Sequence, residues 1–128
     1  YGPGLEIYPP TRFRLLGLAL PDSVIDARIE ARYRDQMAAG FLDEARRLLE
    51  HPRGVSRTAR QALGYKELFD HLEGRATLEE ALDLAVRRTR RFARRQRRWF
   101  RRDPRIEWLE ADDPAALEAP LLAALGLA

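Results

Sequence analysis

The sequence contains no cysteine and only two histidines, His51 and His71, among its 128 residues. The absence of cysteine excludes disulfides, thiol nucleophiles and cysteine-based zinc sites, and it is typical of a reducing compartment. Two distant histidines and scattered acids give no metal-ligand spacing. No Ser-His-Asp set or carboxylate pair stands out either. We therefore predict that this chain contains no catalytic residue and no metal ligand.

Long apolar runs are also missing. None approaches the ~20 residues that a membrane-spanning helix needs, and no charged-then-apolar signal segment opens the chain. We therefore expect a cytoplasmic protein without a membrane partner.

The charge is distributed unevenly, which the net charge of +3 conceals. Residues 87–105 contain eleven arginines and one aspartate, a local charge of +10, so the rest of the chain carries −7. A basic segment on an acidic body attracts a polyanion to one place, whereas a uniform excess of charge does not. The distribution favours a nucleic-acid partner, most of all RNA.

The hydrophobic pattern predicts a mainly helical chain with one or two short strands. Residues 13–20 form an apolar run between Pro10 and Pro21, which is typical of a strand. A single strand buries little, and the sequence supplies no evident partner for it, so we expect that the chain begins partway through a larger fold. Residues 106–109 are predicted to be extended, and residues 1–10, rich in glycine and proline, a loop.

Caps and apolar spacing predict the helices. The first is capped by Ser23 and ends at Gly40, and the second covers residues 41–49. The third ends at Gly74 and has Gly64 inside it. A glycine within a helix costs about 1 kcal/mol relative to alanine, so close approach of its backbone to a neighbour is expected.

A full capping box at residues 77–80 predicts the start of a long helix that ends before Pro104. Its apolar stripe is continuous, but the second half contains polar residues where a core would contain leucine; we expect Phe92 at least to be core. The stripe consists of Leu78, Leu82, Ala85, Thr89, Phe92, Gln96 and Trp99. A last helix from Asp113 to Leu125, bent at Pro120, is predicted.

The arginines of the long helix face one another at i,i+3 and i,i+4, which destabilises a helix by a few tenths of a kcal/mol per pair. Acidic parts of the protein and a phosphate backbone can both offset that repulsion, and the planar guanidinium binds phosphate bidentately. The alternatives are a solvated or internally salt-bridged face, a membrane-surface helix, and a DNA-binding helix that prefers duplex. Arginine on nearly all sides argues against a membrane-surface helix.

Three segments together resemble a known family. They are TARQALGYKE at residues 58–67, TRRFARRQ at 89–96 followed by WFR at 99–101, and a spaced set in the first helix, Arg28-Ile29, Arg32, Met37, Gly40 and Glu44. Each segment is modest alone, but in this order and at these separations they are specific. They resemble the C-terminal part of the tRNA dimethylallyltransferases, also called tRNA isopentenyltransferases.

The resemblance implies a reaction and its partners. In that family a dimethylallyl group passes from dimethylallyl diphosphate to N6 of the adenosine immediately 3′ of the anticodon. Magnesium assists the departure of diphosphate, and the target base is flipped out of its loop. The implied partners are therefore a tRNA anticodon stem-loop and dimethylallyl diphosphate, and the implied cofactor is Mg²⁺. We expect a monomer.

The resemblance also implies site residues. Arg28 and Arg32 are candidates for contacting the diphosphate. The positions that resemble tRNA-contacting residues of the family are Arg60, Gly64, Tyr65, Lys66, Arg94, Arg95, Gln96, Trp99 and Arg101. For each arginine the alternative role is a surface ion pair; for Gln96 and Tyr65 it is a place in the core.

The sequence departs from the family pattern in two ways. Arg98 stands where the family often has threonine, which puts a specific hydroxyl contact in doubt. The Gly-rich phosphate loop ending in Gly-Lys-Ser/Thr and the aspartate that acts as general base are both missing, and Gly2-Pro3-Gly4 is no substitute. We therefore expect the C-terminal portion of an α/β P-loop-type transferase, with RNA-binding residues and little or no catalysis of its own.

This interpretation divides the chain into three parts. Residues 1–22 are the loop and a strand of the parent α/β core, residues 23–110 a helical tRNA-binding part with the arginine-rich helix, and residues 111–128 a C-terminal helix. The alternative function is a non-enzymatic, basic helical module that binds nucleic acid.

Overall fold

The computed structural model describes residues 8–127; the Gly2-Pro3-Gly4 segment and most of the predicted loop at residues 1–10 lie outside the described residues. The mainly helical fold with short strands is confirmed. In chain order the elements are β1 (Leu15–Ala19), α1 (Asp22–Ala38), α2 (Phe41–Glu50), α3 (Arg57–Arg60), α4 (Tyr65–Leu72), α5 (Leu78–Arg101), β2 (Ile106–Glu110), a 3-10 helix (Pro114–Leu117) and α6 (Glu118–Ala124).

β1 and β2 form a parallel pair in which Leu15 lies opposite Ile106 and Ala19 opposite Glu110. The predicted strand at residues 13–20 is confirmed, but the expectation that the sequence supplies no partner for it is wrong. Parallel strands require a long crossover, and here five helices separate the two strands. Such a separation leaves no local pairing signal in the sequence.

Residue contacts divide the chain into two compact units, residues 1–25 with 94–128 and residues 26–93. The first unit contains the two strands, the 3-10 helix, α6 and the last turns of α5. The sequence-based division after residues 22 and 110 remains a prediction.

The core of the second unit is formed by α1, α2, α4 and α5. Its buried residues are three aromatic rings, one leucine and two alanines. They are Tyr33, Phe41, Ala45, Leu68, Phe69 and Ala85.

The predicted third helix is wrong as a single element, because it is two helices separated by a turn. Ser56 Oγ accepts from the Ala59 N–H at 3.1 Å and caps α3. Gly64 then has φ 87° and ψ −52°, outside helical geometry, and precedes the first residue of α4. The expected close approach is found: a Cβ at Gly64 would lie 3.1 Å from Phe41 Cζ and 3.2 Å from Tyr33 Cε1.

Other helix ends follow the predicted caps with small shifts. The capping box of α5 is confirmed, since Thr77 Oγ1 accepts from the Glu80 N–H at 3.1 Å and Glu80 Oε1 accepts from the Thr77 N–H at 3.3 Å. α1 begins at Asp22, so Ser23 lies within its first turn and is not the cap. Pro120 lies in the first turn of α6, where its missing N–H leaves no bond unmade, and the change of helix type comes before it.

We predict that Gly64→Ala lowers the free energy of unfolding by about 1–3 kcal/mol more than Gly40→Ala does. Both glycines have positive φ, so alanine strains the backbone at either position. Only at Gly64 does the added Cβ meet Phe41 and Tyr33, whereas nothing lies within 4 Å at Gly40. Urea unfolding of both variants measures the difference, and equal losses would contradict the packing argument.

Candidate nucleic-acid interface

The arginines in the last turns of α5 fall into two rows, and the first row is paired with the protein's own acids. Arg97 donates to Asp22 Oδ1 at 2.7 Å and to the Leu20 carbonyl. Arg94 Nε lies 3.7 Å from Asp22 Oδ2. Spacings of three and four residues place this row on one side of the helix.

Arg101, the last member of the paired row, is held from two sides. Its Nη2 donates to Glu110 Oε1 at 3.0 Å, and its guanidinium carbon lies 5.0 Å from the centroid of the Trp108 ring. Cation–π contact and an ion pair together hold the guanidinium against β2. Arg94 and Arg101, both predicted to contact tRNA, are thus engaged within the protein.

The second row consists of Arg95, Arg98 and Arg102, which are exposed. Within the described part of the chain these three make no ion pair and no side-chain hydrogen bond. They too are spaced by three and four residues and share a face. Arg102 follows the end of α5 in a turn closed by its N–H and the Trp99 carbonyl at 3.3 Å.

Arg98 and Arg102 were not among the residues predicted from the sequence. A signal for them was present, because both repeat the spacing of Arg95 on the helix surface. What the sequence did not reveal is which arginines the distant acids Asp22 and Glu110 neutralise.

Trp99 lies beside the free row and is 53% exposed. Its ring centroid lies 5.0 Å from that of Phe100, with the rings nearly perpendicular at 85°. Gln96 is exposed, so the alternative of a buried glutamine does not apply. An exposed indole next to unpaired guanidiniums provides a stacking surface beside phosphate-binding groups.

In the second unit, the predicted residues around Gly64 are organised by a buried carboxylate. Glu67 is 1% exposed. Its Oε2 accepts from the Gly64 N–H at 2.8 Å, and its Oε1 accepts from Arg88 Nη1 at 3.1 Å. Both oxygens are therefore satisfied, and one carboxylate joins the turn before α4 to α5.

Tyr65, the residue after the turn, is held in a defined orientation. Its hydroxyl donates to Glu44 Oε1 at 2.7 Å, and its ring meets Phe41 edge-on at 4.9 Å between centroids. The hydrogen bond to Glu44 raises the pKa of Tyr65, so the phenol stays neutral and continues to donate. Tyr65 is half-buried, with part of its surface open.

Thr89 is a polar residue in the apolar stripe of α5, and the hydrogen bonds of its hydroxyl account for its place there. Its hydroxyl donates to the Ala85 carbonyl at 2.8 Å, and its Oγ1 lies 2.7 Å from the hydroxyl of Tyr33. A hydroxyl has one proton, so Tyr33 is the donor in the second bond. Phe92 on the same helix is 47% exposed, and the expectation that it belongs to the core is wrong.

Arg28 and Arg32, the diphosphate candidates, lie one turn apart on α1 and are both exposed. Neither has an ion-pair partner among residues 8–127. Arg32 lines a cavity of about 360 Å³ that Tyr65 and Gln36 also line. The structure thus brings one diphosphate candidate and one tRNA candidate to the same cavity.

Arg60 and Lys66 differ in how available they are. Arg60 Nη1 donates to Glu73 Oε1 at 3.0 Å, and this bond, with one from Arg75, lowers the pKa of Glu73. Lys66 has no ion-pair partner in the described chain and is free to bind an anion.

Two absences complete the description. Residues 8–127 contain no helix long and apolar enough to cross a membrane. Over the same residues no group of three or more histidines and acids is placed to hold a metal ion.

A family model described as IPP transferase matches residues 4–103. The chain belongs to the IPP transferase family. The tRNA dimethylallyltransferase of Corynebacterium jeikeium is 43% identical to it over 111 residues, which are 87% of this chain and 36% of that protein. That of Kineococcus radiotolerans is 49% identical over 98 residues, 77% of this chain and 31% of that protein.

Among solved structures, the tRNA isopentenylpyrophosphate transferase of Bacillus halodurans is 34% identical, with a TM-score of 0.78 over 92% of this chain and 40% of that one. The predicted family is therefore confirmed. The IPP transferase chain spans about a third of the length of the curated relatives it matches.

We predict that Arg88→Met lowers the free energy of unfolding by about 2 kcal/mol, because it leaves the buried carboxylate of Glu67 without its cation. The loss is smaller than for a fully buried pair, since the Arg88 side chain is 34% exposed. Arg91→Met, at an exposed arginine without a described partner, is the control and should change stability by no more than about 0.5 kcal/mol. Urea unfolding measures the loss of stability in each variant. Equal losses would show that the hydrogen bond from the Gly64 N–H is enough to stabilise the Glu67 carboxylate.

A second prediction concerns pH. Because Arg60 holds the pKa of Glu73 below its ordinary value, Arg60→Gln should raise that pKa toward it. A lowered folded-state pKa stabilises the fold above the unfolded-state pKa, and this stabilisation is lost as pH falls through the folded-state pKa. The variant should therefore lose less stability on acidification. Carboxyl NMR titration of Glu73 measures the shift, with Arg57→Gln as control; an unchanged pKa in Arg60→Gln would refute the pairing.

Proposed function

We propose that this chain is the tRNA-binding, C-terminal part of a tRNA dimethylallyltransferase. The complete enzyme would transfer a dimethylallyl group from dimethylallyl diphosphate to N6 of the adenosine 3′ of the anticodon. Family membership supports the reaction, and the similar proteins are named for it. In this proposal the chain alone binds RNA and has little or no catalytic activity.

The observation that carries the binding role is the excess of unneutralised cations at the end of α5. Asp22 and Glu110 neutralise Arg97 and Arg101, while Arg95 and its row have no acid of the described chain to pair with. Like charges at helical spacing repel one another, and a phosphate backbone offers the counter-charges that the protein lacks. Tyr65, Lys66 and the Gly64 turn form a second candidate contact in the other unit.

Arg28 and Arg32 are proposed to contact the diphosphate of the prenyl donor. Two exposed guanidiniums one turn apart, without acids to neutralise them, favour a divalent or trivalent anion. As the adenosine N6 attacks, a nitrogen–carbon bond forms, the carbon–oxygen bond to diphosphate breaks, and an N6 proton passes to the general base. Cations stabilise the negative charge that the leaving group gains.

Magnesium is proposed only for the complete enzyme. The described residues offer no ligand cluster that fits a metal ion, so its ligands are proposed to lie outside this chain. The P-loop and the general base are likewise proposed to lie outside this chain. We further propose a monomer that acts in the cytoplasm, where tRNA is modified.

The competing function is a basic helical module that binds nucleic acid without taking part in an enzyme. It is favoured by the arginine density of α5 alone. It predicts preference for duplex over a stem-loop and no dependence on a single unpaired base.

The test is the affinity of the chain for an anticodon stem-loop with adenosine at the modification position, measured across a salt series. The same loop with that base replaced and a matched duplex are the controls. We expect the logarithm of the association constant to fall with log[salt] with a slope of about −2 or steeper, because three free arginines each displace counterions. We also expect the adenosine loop to bind most tightly.

A steep slope without base preference would favour the basic module. Absence of binding at low salt would overturn the RNA-binding role and leave the arginines a structural one.

A further inference from the structure

We infer that the two arginine rows at the end of α5 have different roles: Arg95, Arg98 and Arg102 follow one RNA backbone, with Trp99 stacking on an unpaired base. Arg97 and Arg101 remain paired with Asp22 and Glu110 and contact no phosphate. This inference rests on the proposed RNA-binding function and specifies which side of α5 meets the RNA.

The first step concerns charge. A guanidinium already paired with a carboxylate, as Arg97 is with Asp22 at 2.7 Å, must break that bond before it can bind phosphate. When such a guanidinium exchanges its carboxylate for a phosphate, few counterions are released. A free guanidinium such as Arg98 exchanges mobile counterions for a phosphate, and this release is what drives binding at low salt.

The second step concerns geometry. A rise of 1.5 Å per residue places Arg95 and Arg98 about 4.5 Å apart along the helix axis. Arg102 follows in the turn that closes α5, where its N–H donates to the Trp99 carbonyl. The paired row points instead toward the start of α1 and toward β2, where Asp22 and Glu110 lie. One side of the helix end is therefore open to a ligand while the other side is occupied by protein.

Trp99 adds a preference for unpaired bases. It lies four residues after Arg95 and three before Arg102, so its half-exposed ring borders the free row. Phe100 supports it edge-on, which leaves part of the indole open. An aromatic ring beside a row of cations is the arrangement by which proteins hold a single strand, the cations binding the backbone and the ring a base.

Arg98 is the most informative member of the row. It lies between Arg95 and Arg102 in the sequence spacing of the row, so its loss interrupts the row at its middle. Because it is exposed and makes no ion pair, side-chain hydrogen bond or cation–π contact within residues 8–127, we expect its replacement to leave the fold undisturbed.

The experiment compares two double variants of the 128-residue chain. Arg98→Gln with Arg102→Gln removes free cations, and Arg97→Gln with Arg101→Gln removes the same number of paired ones. Binding to the anticodon stem-loop is measured across a salt series. We expect the first variant to reduce the magnitude of the salt slope by about 1.4–1.8, from 0.7–0.9 per lost phosphate contact. The second should change the slope by less than about 0.5.

Folding of each variant is checked by circular dichroism and thermal unfolding. If the second double variant does not fold, Arg101→Gln alone, which keeps the Arg97–Asp22 pair, replaces it and is compared with Arg98→Gln alone. Equal reductions of slope in the free-row and paired-row variants would overturn the inference. Absence of RNA binding by the unmodified chain would instead overturn the proposed function. Failure of the inference and failure of the proposed function therefore give different results.

Trp99→Leu tests the stacking contact separately. It removes no charge, so the salt slope should be unchanged, while affinity for the stem-loop should fall about tenfold. Affinity for duplex should not fall, because paired bases offer no free face. An equal fall for both RNAs would show that Trp99 does not stack on an unpaired base.

Discussion

Repulsion among the arginines of α5 is an unfavourable interaction that acids elsewhere in the chain partly offset. A helix with so many like charges at i,i+3 and i,i+4 is unfavourable in isolation. The fold neutralises part of this charge by placing Asp22, from the first turn of α1, and Glu110, from β2, beside Arg97 and Arg101. Pairs as exposed as these contribute little to stability individually. Their main effect is on where the remaining charge lies, because the unpaired arginines are left on one side of the helix.

A different solution operates in the second unit, where one arginine meets a buried acid. Glu67 accepts from both Gly64 and Arg88, so the carboxylate fixes a turn and joins two helices at once. A buried charge is tolerated only where its hydrogen bonds are complete, and here both oxygens have donors. The turn that Glu67 fixes orients Tyr65, whose hydroxyl is held in turn by Glu44. The buried Glu67 thereby fixes the position of Tyr65, which is partly exposed to solvent.

Features encoded locally were predictable from the sequence. The capping box at Thr77 and Glu80, the strand at residues 13–20 and the length of α5 follow from short-range patterns, and all are confirmed. The split at Gly64 was missed, because a positive φ depends on Phe41 and Tyr33 packing against a glycine from elsewhere in the chain. The partner of β1 was missed for the same reason, and so was the division of the arginines, which depends on acids distant in sequence. The family motifs predicted a tRNA interface, which stays a prediction, and they did not separate paired from free arginines within it.

In the proposed function, the free arginines would also couple RNA binding to helix stability. In the absence of RNA the repulsion among Arg95, Arg98 and Arg102 is an unfavourable term in the folded state. A bound phosphate backbone would remove that term, so the free energy that weakens the helix end without RNA would contribute to the affinity for RNA. Because the paired row already has its counter-charges, it keeps the helix end attached in both states. A helix end with free arginines alone would be less stable without RNA by a few tenths of a kcal/mol per pair, and one with every arginine paired would bind a phosphate backbone weakly.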